Sequence, residues 1–455
     1  MKSTKLKTFA LVLLAFGLAL GACSGGGSEP TSQPTAEKPD AAANQKDAPA
    51  QEAAKEPVEI TFWHNWETGP SGESIKQSVA RFNELHPHIK VNAVYAAPDG
   101  SNDSVTSKLM TAVAAGNPPD VFLASRNGVA ESMAIETDLT ELAARDGITA
   151  DLFYPWAWAE STYEGKLLGL PYDGTARALW YNKDHFIEAG LDPEKPPRTI
   201  KELEEYAAKL TKKEGNRYTR FGLIPWWGQG WLYSWGWAFG GEFIDESTGK
   251  VTANNPKIVE ALDWMANFGK TYGIEDVNSF VNSAGSNATD PFLSGQLSMM
   301  INGNWMIQQA AQYNPDLNYG LAYIPSPDGN TLSTFVGGRV LLIPKGAKHQ
   351  EEAWEFIKWM CATEEGQSFK KITGEFAAMP SVNDKLYGDD PLQKVFLELL
   401  PHGNYRPVTL AGNLMWDELA KAPDLVMHGQ YTAQQILDQI TDKVNKEIET
   451  KKAQQ

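Results

Sequence analysis

Val58-Glu-Ile-Thr-Phe62 alternates apolar and polar residues and is rich in β-formers, which predicts a strand. Residues 71–85 then place Ile75, Val79, Phe82 and Leu85 on one helical face, and Pro87 ends the run. Ile89-Lys-Val-Asn-Ala-Val-Tyr95 alternates again. Residues 105–115 read as a helix closed by Gly116-Asn-Pro-Pro119, and Val121-Phe-Leu-Ala124 reads as a short buried strand. Strand, helix, strand, helix, strand in that order implies a parallel, doubly wound sheet with right-handed crossovers. Such sheets bind ligands beyond the carboxyl ends of their strands. Here those ends are Trp63-His-Asn65-Trp-Glu67 and Ser125-Arg126-Asn127. The glycine pattern of a dinucleotide turn does not follow the first strand. An aromatic beside amides and a carboxylate suits a ligand with a flat apolar face and edge hydroxyls.

Outward from this stretch, residues 58–455 exceed what one hydrophobic core usually serves, so two lobes are expected. On the N-terminal side, Lys2, Lys5 and Lys7 precede an apolar run over 9–20. A spanning helix needs about 20 apolar residues, so the run reads as a secretory signal over 1–22. It ends in Leu20-Gly-Ala-Cys23, the lipobox arrangement of bacterial lipoproteins. Cys23 is then the expected lipidation site, where each buried methylene contributes about 0.8 kcal/mol of membrane affinity. An ordinary signal followed by an incidental cysteine is the alternative. Residues 23–57 lack aromatics and are rich in Ala, Pro, Gly, Ser and Glu, as expected of a disordered tether. The second cysteine, Cys361, has no partner left for a disulfide. A net charge of −17 argues against nucleic acid and against a grip on anionic lipid other than through an anchor.

Fifteen tryptophans are unevenly placed. Five fall in Trp226-Trp227-Gly-Gln-Gly-Trp231-Leu-Tyr-Ser-Trp235-Gly-Trp237. Trp235 and Trp237 read as core of a short helix. Trp226, Trp227 and Trp231 sit at a loop-to-helix junction, where a ligand platform and core packing are both open. A pyranose packs its C–H face on an aromatic plane while planar amide, carboxylate and guanidinium groups take its hydroxyls. Later, Met299-Met-Ile-Asn-Gly-Asn304-Trp305 reads as a buried strand turning into a helix, with Asn304 and Trp305 at the strand's carboxyl end. Arg339, after Gly337-Gly338, either bridges sugar hydroxyls or pairs with a neighbouring acid.

In these stretches the chain resembles the bacterial extracellular solute-binding proteins of ABC importers, in the carbohydrate-binding branch that includes maltose-binding protein. The resemblance rests on Ile60-Thr-Phe-Trp63, Asn117-Pro-Pro-Asp-Val121, Gly165-Lys-Leu-Leu-Gly-Leu-Pro-Tyr172, Trp180-Tyr-Asn-Lys-Asp184, Gly240-Gly241, residues 292–305 and residues 352–369. It implies a two-lobed periplasmic-binding-protein-like α/β fold, each lobe a mostly parallel sheet flanked by helices, with the ligand cleft between them. The implied lobes are 58–173 with 338–390, and 174–337 with 391–450. Trp305 falls where the family keeps a sugar-stacking tryptophan, and Asn65 and Glu67 fall where the first lobe supplies polar contacts. Ser125 and Arg126 fall in a contact loop that in the maltose protein carries a carboxylate and an aromatic; neither stands here, which argues against maltose. Asp173 lies near a second-lobe carboxylate position, Trp227 and Trp231 lie near an aromatic and acid pair, and Trp416 fits the spacing of a third stacking tryptophan.

Other chemistries find little support. The seven histidines include no i, i+4 pair, which disfavours a zinc site. Asp99-Gly-Ser-Asn-Asp103 lacks the spacing of a calcium loop, and neither a nucleophile elbow nor a phosphate-binding glycine loop is present. Thr199-Ile-Lys-Glu202 is a capping box. The resulting expectation is a monomeric, lipid-anchored receptor at the extracytoplasmic face of a cell without an outer membrane. It needs no cofactor and hands a carbohydrate, probed by Trp63 and the residues above, to importer membrane subunits. A lipoprotein glycosidase, or the same receptor with a non-sugar ligand, are the alternatives.

Overall fold

The computed structural model describes residues 56–97, 106–285 and 289–454. The signal over 1–22, Cys23, all but the last two residues of the tether and the 99–103 loop lie outside the described residues. The opening stretch folds as β1 (Val58–His64), α1 (Gly69–Leu85), β2 (Ile89–Tyr95), α2 (Thr106–Ala114) and β3 (Val121–Ser125). β1 runs parallel to β2, with Val58 opposite Ile89 and His64 opposite Tyr95, and parallel to β3, with Phe62 opposite Val121. Ile75, Val79 and Phe82 of α1 are buried as the periodicity requires, but Leu85 is 41% exposed. Three residues past Phe82, at 3.6 residues per turn, the position has rotated about 60° off the buried line.

After the short β4 (Leu170–Pro171) the chain leaves this sheet and builds a second one. Its strands are β5 (Arg177–Asn182), β6 (Lys212–Glu214), β7 (Arg217–Gly228), β8 (Leu297–Gly303) and β9 (Tyr319–Ala322), in the order β9-β5-β8-β7-β6. Every residue of β5 and β8 is buried, the mark of strands covered on both faces. The chain then returns as β10 (Arg339–Leu342), completing the first sheet in the order β2-β1-β3-β10-β4. The expectation of mostly parallel sheets is corrected here. In the second sheet the β7–β8 pairing is parallel and the other three are antiparallel, and in the first sheet β10 is antiparallel to both neighbours. The reason is connectivity. β5 and β10 enter their sheets from the other lobe, so they start where their neighbours end: Arg177 faces Gly303, and Arg339 faces Ser125.

Helices cover both sheets. They include α3 (Ile200–Leu210), α4 (Leu232–Ala238), α5 (Pro256–Tyr272), α6 (Met306–Tyr313), α7 (Gln350–Ala362), α8 (Gly412–Met427) and α9 (Ala433–Lys452). α7 presents Ala353, Phe356, Ile357 and Met360 inward. Phe356 meets the edges of Phe62 at 5.3 Å and Phe82 at 5.0 Å. Burying each ring contributes roughly 2–3 kcal/mol, and each edge-to-face pair about 1 more. The chain passes between the sheets at 172–176 and 336–338. These two passages bond to each other: Thr175 N donates to Gly337 O at 2.9 Å and Gly337 N to Thr175 O at 3.3 Å. Among the described residues no helix is long and apolar enough to cross a membrane. The fold is α/β and two-lobed, two helix-flanked sheets joined by crossing segments.

Candidate functional site

A cavity of about 730 Å³ opens where the two sheets face each other, within the roughly 300–1,000 Å³ of small-molecule sites. Its walls come from the carboxyl ends of parallel strands, as doubly wound sheets dictate. Asn65 follows β1, Ser125 ends β3, Gln229 follows β7 and Trp305 follows β8. Thr175, Gly337 and Gly338 come from the crossing segments, Arg177 and Arg339 open the strands β5 and β10 that follow them, and Trp231, Phe335, Arg406 and Trp416 close the second-lobe side. Trp231 and Trp416 stand perpendicular with centroids 4.5 Å apart. Trp305 caps α6 and is only partly buried. Its ring lies against Gly303, where any Cβ would overlap it. The guanidiniums lie over the rings: Arg177 is 5.1 Å from the Trp305 centroid and 4.4 Å from Phe335, and Arg406 is 4.8 Å from Trp416. Such stacking fixes both cations and rings, leaving the rings' remaining area for an apolar ligand face.

Behind this wall lies a buried charge cluster. Arg339 Nη1 bonds Asp173 Oδ2 at 3.1 Å and Glu375 Oε1 at 3.2 Å, while Arg339 N donates to Asp173 Oδ1 at 2.8 Å. Burial opposes ionisation of Asp173, but Arg339, Lys370 and Arg126 hold its carboxyl below the usual range. Glu375 is pushed up by burial and by Asp173. Two carboxyls sharing one guanidinium thus separate into a committed anion and a reluctant one. Arg126 is fully buried. Its Nε donates to Glu160 Oε2 at 3.0 Å and its Nη1 to the Asp173 carbonyl at 2.6 Å.

Of the residues singled out from sequence, the structure brings Asn65, Ser125, Trp231, Trp305, Arg339 and Trp416 together on the cavity wall. Three others sit behind it. Asp173 and Arg126 are enclosed in the charge cluster, and Asn304 is enclosed where its Oδ1 accepts from Ala176 N at 3.2 Å and its Nδ2 donates to Gly374 O at 2.7 Å. They hold the wall rather than face the opening, because each finds its partners inside the protein. The remaining three lie off the cavity. Trp63 points to the face of the first sheet that packs Val340 and Leu342, exposed Glu67 borders a groove beside α1, and half-buried Trp227 packs against the core. Alternation puts Trp63 on the face opposite Phe62, whereas Asn65 lies just past the last strand residue, His64, where the chain turns into the cleft. Sequence reasoning missed Arg177, Gln229, Phe335, Glu375 and Arg406. The Thr334-Phe-Val-Gly-Gly-Arg339 run was the available signal for Phe335.

Away from the cavity, His86 Nδ1 and His88 Nε2 lie 2.7 and 3.2 Å from the Glu355 carboxyl. Among the described residues these three have ligand atoms within 4.8 Å of one another. Glu355 comes from α7, 267 residues away from His88, so spacing could not reveal the group. Burial alone would raise Glu355, yet its bonds to the two imidazoles bring it below its ordinary value.

Comparison with known proteins gives the family. The profile of bacterial extracellular solute-binding proteins matches residues 65–367. The sn-glycerol-3-phosphate-binding periplasmic protein UgpB of Salmonella typhimurium is 26% identical over 416 residues, spanning 85% of this chain and 91% of UgpB. The solved structure of CpMnBP1 with mannobiose bound is 30% identical with a TM-score of 0.74, covering 85% of this chain and 99% of that one. The substrate-binding protein Lmo0181 of Listeria monocytogenes, solved with cycloalternan, shares the fold at 23% identity and a TM-score of 0.70, over 86% and 98% of the two chains. With its two sheets, its crossing segments and its cavity between them, the chain belongs to the bacterial extracellular solute-binding protein family.

Proposed function

We propose that this chain is the carbohydrate receptor of an ABC importer, with an oligosaccharide as its ligand. The observation that carries the reading is the grouping of Trp231, Trp305 and Trp416 in one cavity with the planar polar ends of Asn65, Gln229, Gln309 and Arg339. Rings take the C–H faces of a sugar, and the amides and guanidinium take its hydroxyls. Relatives solved with mannobiose and cycloalternan support the ligand class. The sugar docks on one lobe and closure adds contacts from the other, so ligand shifts an open–closed population that the importer subunits read. The lobes run over 58–173 with 338–390 and 174–337 with 391–450, and the receptor acts as a monomer. A diacylglyceryl group on Cys23 tethers it to the outer face of a cell membrane, as in a bacterium without an outer membrane.

Binding without turnover is the reading favoured over glycoside hydrolysis. Hydrolysis needs two carboxyls about 5–9 Å apart flanking the bond. Among the described residues one carboxyl lines the cavity, that of Glu375, and Arg339 holds it. A glycan panel read by thermal shift and tryptophan emission tests the proposal. The expected outcome is a shift with at least one sugar and no release of reducing ends, and Trp305→Ala weakens that sugar by about tenfold or more. Steady turnover, or unchanged affinity in Trp305→Ala, would overturn it.

A further inference from the structure

Four arginines converge on the cavity and the wall behind it, and they divide into two pairs by their partners. Arg126 is ion-paired to Glu160, and Arg339 to Asp173 and Glu375. Arg177 and Arg406 make no ion pair among the described residues, although both line the cavity. Arg177 is 7% exposed and is satisfied by neutral acceptors: Gln229 Oε1 at 3.2 and 3.3 Å, Thr175 Oγ1 at 2.8 Å and Phe335 O at 3.3 Å. Arg406 lies over Trp416 and Phe335, and its Nε is buried with no hydrogen-bond partner. Burial, and then the neighbouring Arg406, push Arg177 down to about 9, and burial lowers Arg406 as well. The carboxyl nearest in influence to both, Glu160, is itself enclosed against Arg126. In a chain whose net charge is −17, this cavity is lined by three arginines and one carboxyl.

We propose that the ligand carries an anionic group, a carboxylate or phosphate on the sugar, that pairs with Arg177 and Arg406. Hydroxyls can accept from guanidinium groups too. They do not relieve two desolvated like charges held in one cavity, whereas a single anion between them does. The aromatic wall then holds the sugar body and the arginine pair selects its charge. This inference rests on the reading of the cavity as a glycan site.

The test titrates the full-length protein with neutral di- and trisaccharides, each paired with its uronate or phosphorylated counterpart, and with glycerol 3-phosphate and inorganic phosphate as anions without a sugar ring. The expected result is that an acidic glycan binds about tenfold or more tighter than its neutral parent, as charge-assisted hydrogen bonds imply. Its affinity falls as NaCl is raised from a low to a high concentration, and it falls again in Arg406→Gln and Arg177→Gln but recovers in part in Arg406→Lys. Uronates binding in preference to phosphates, or the reverse, identify the source of the anion. Far-ultraviolet circular dichroism checks that the variants are folded, and the salt dependence of the unaltered protein decides the matter if they are not. A neutral glycan as the best binder, equal affinity for both members of every pair, or no binding by any compound in the set overturns the inference. If only glycerol 3-phosphate or inorganic phosphate binds, the anion site stands and the glycan reading fails. If a neutral glycan binds tightly and is indifferent to salt, the glycan reading stands and the anion site fails.

Discussion

A Cβ on Gly338 would overlap Arg126 Nη2 and the Asp173 carbonyl oxygen, so the crossing segment passes this point only as glycine. Gly338→Ala is expected to cost roughly 1–3 kcal/mol, as overpacking does, and to weaken ligand binding because it displaces the guanidinium behind the wall. A melting temperature unchanged within error would refute that. Glu136 offers a second test. It is 1% exposed, accepts from Ser132 Oγ, and leaves Oε2 buried with no partner. Burial raises its pKa from 4.5 to about 8. Below about pH 4.5 both folded and unfolded states hold the proton. As pH rises the unfolded chain ionises first, so stability is lost from about 4.5 up to about 8. Glu136→Gln should therefore raise the melting temperature at about pH 8 more than at about pH 5, and equal shifts at the two would count against it. At this scale the site was half legible. Trp305 announces itself because a tryptophan beside amides at a strand's carboxyl end has few structural reasons to be there, whereas Trp231 was open between platform and core and Trp416 came only from the family resemblance; all three are half-buried. Arg177 and Arg406 do not announce themselves, since a charge at the start of a strand or beside a proline is ordinary until the fold shows what surrounds it. Arg126 shows the opposite error: it stands at a strand's carboxyl end, but Glu160 draws its side chain inward.

The elements were easier to read than their directions. The capping box at Thr199 forms as the sequence implies: Thr199 Oγ1 accepts from Glu202 N, and the Glu202 carboxyl accepts from Thr199 N, both at 3.1 Å. Thr199→Ala should lower the stability of the chain by about 1 kcal/mol in urea unfolding. Ligand affinity should not change, because α3 lies outside the cavity wall; a loss of binding would mean that α3 reaches the site. Local patterns located β1, β2, β3, α1 and α2 because each depends on neighbouring residues alone. Strand direction depends instead on where the chain crosses between sheets, and no periodicity carries that information. The antiparallel entries of β5 and β10 were therefore invisible until both sheets were seen.

At the scale of the whole molecule, the lipobox predicts location. Cys23→Ala should move the protein from the membrane fraction into the medium while leaving its ligand-induced melting shift intact. Retention in the membrane fraction would require another anchor. Binding should also stabilise the chain by mass action, with the melting temperature rising as ligand concentration exceeds Kd.

The return of β10 to the first sheet has a consequence for biosynthesis. Arg126 reaches the Arg339 carbonyl across 213 residues of sequence, and β3 waits for β10 over the same distance. The first lobe cannot finish its sheet until the second has been made, because contacts so distant along the chain form only after a long loop closes. A chain that cannot lock its amino-terminal half early stays open until most of its length has been made, which is the condition that export of an unfolded chain requires.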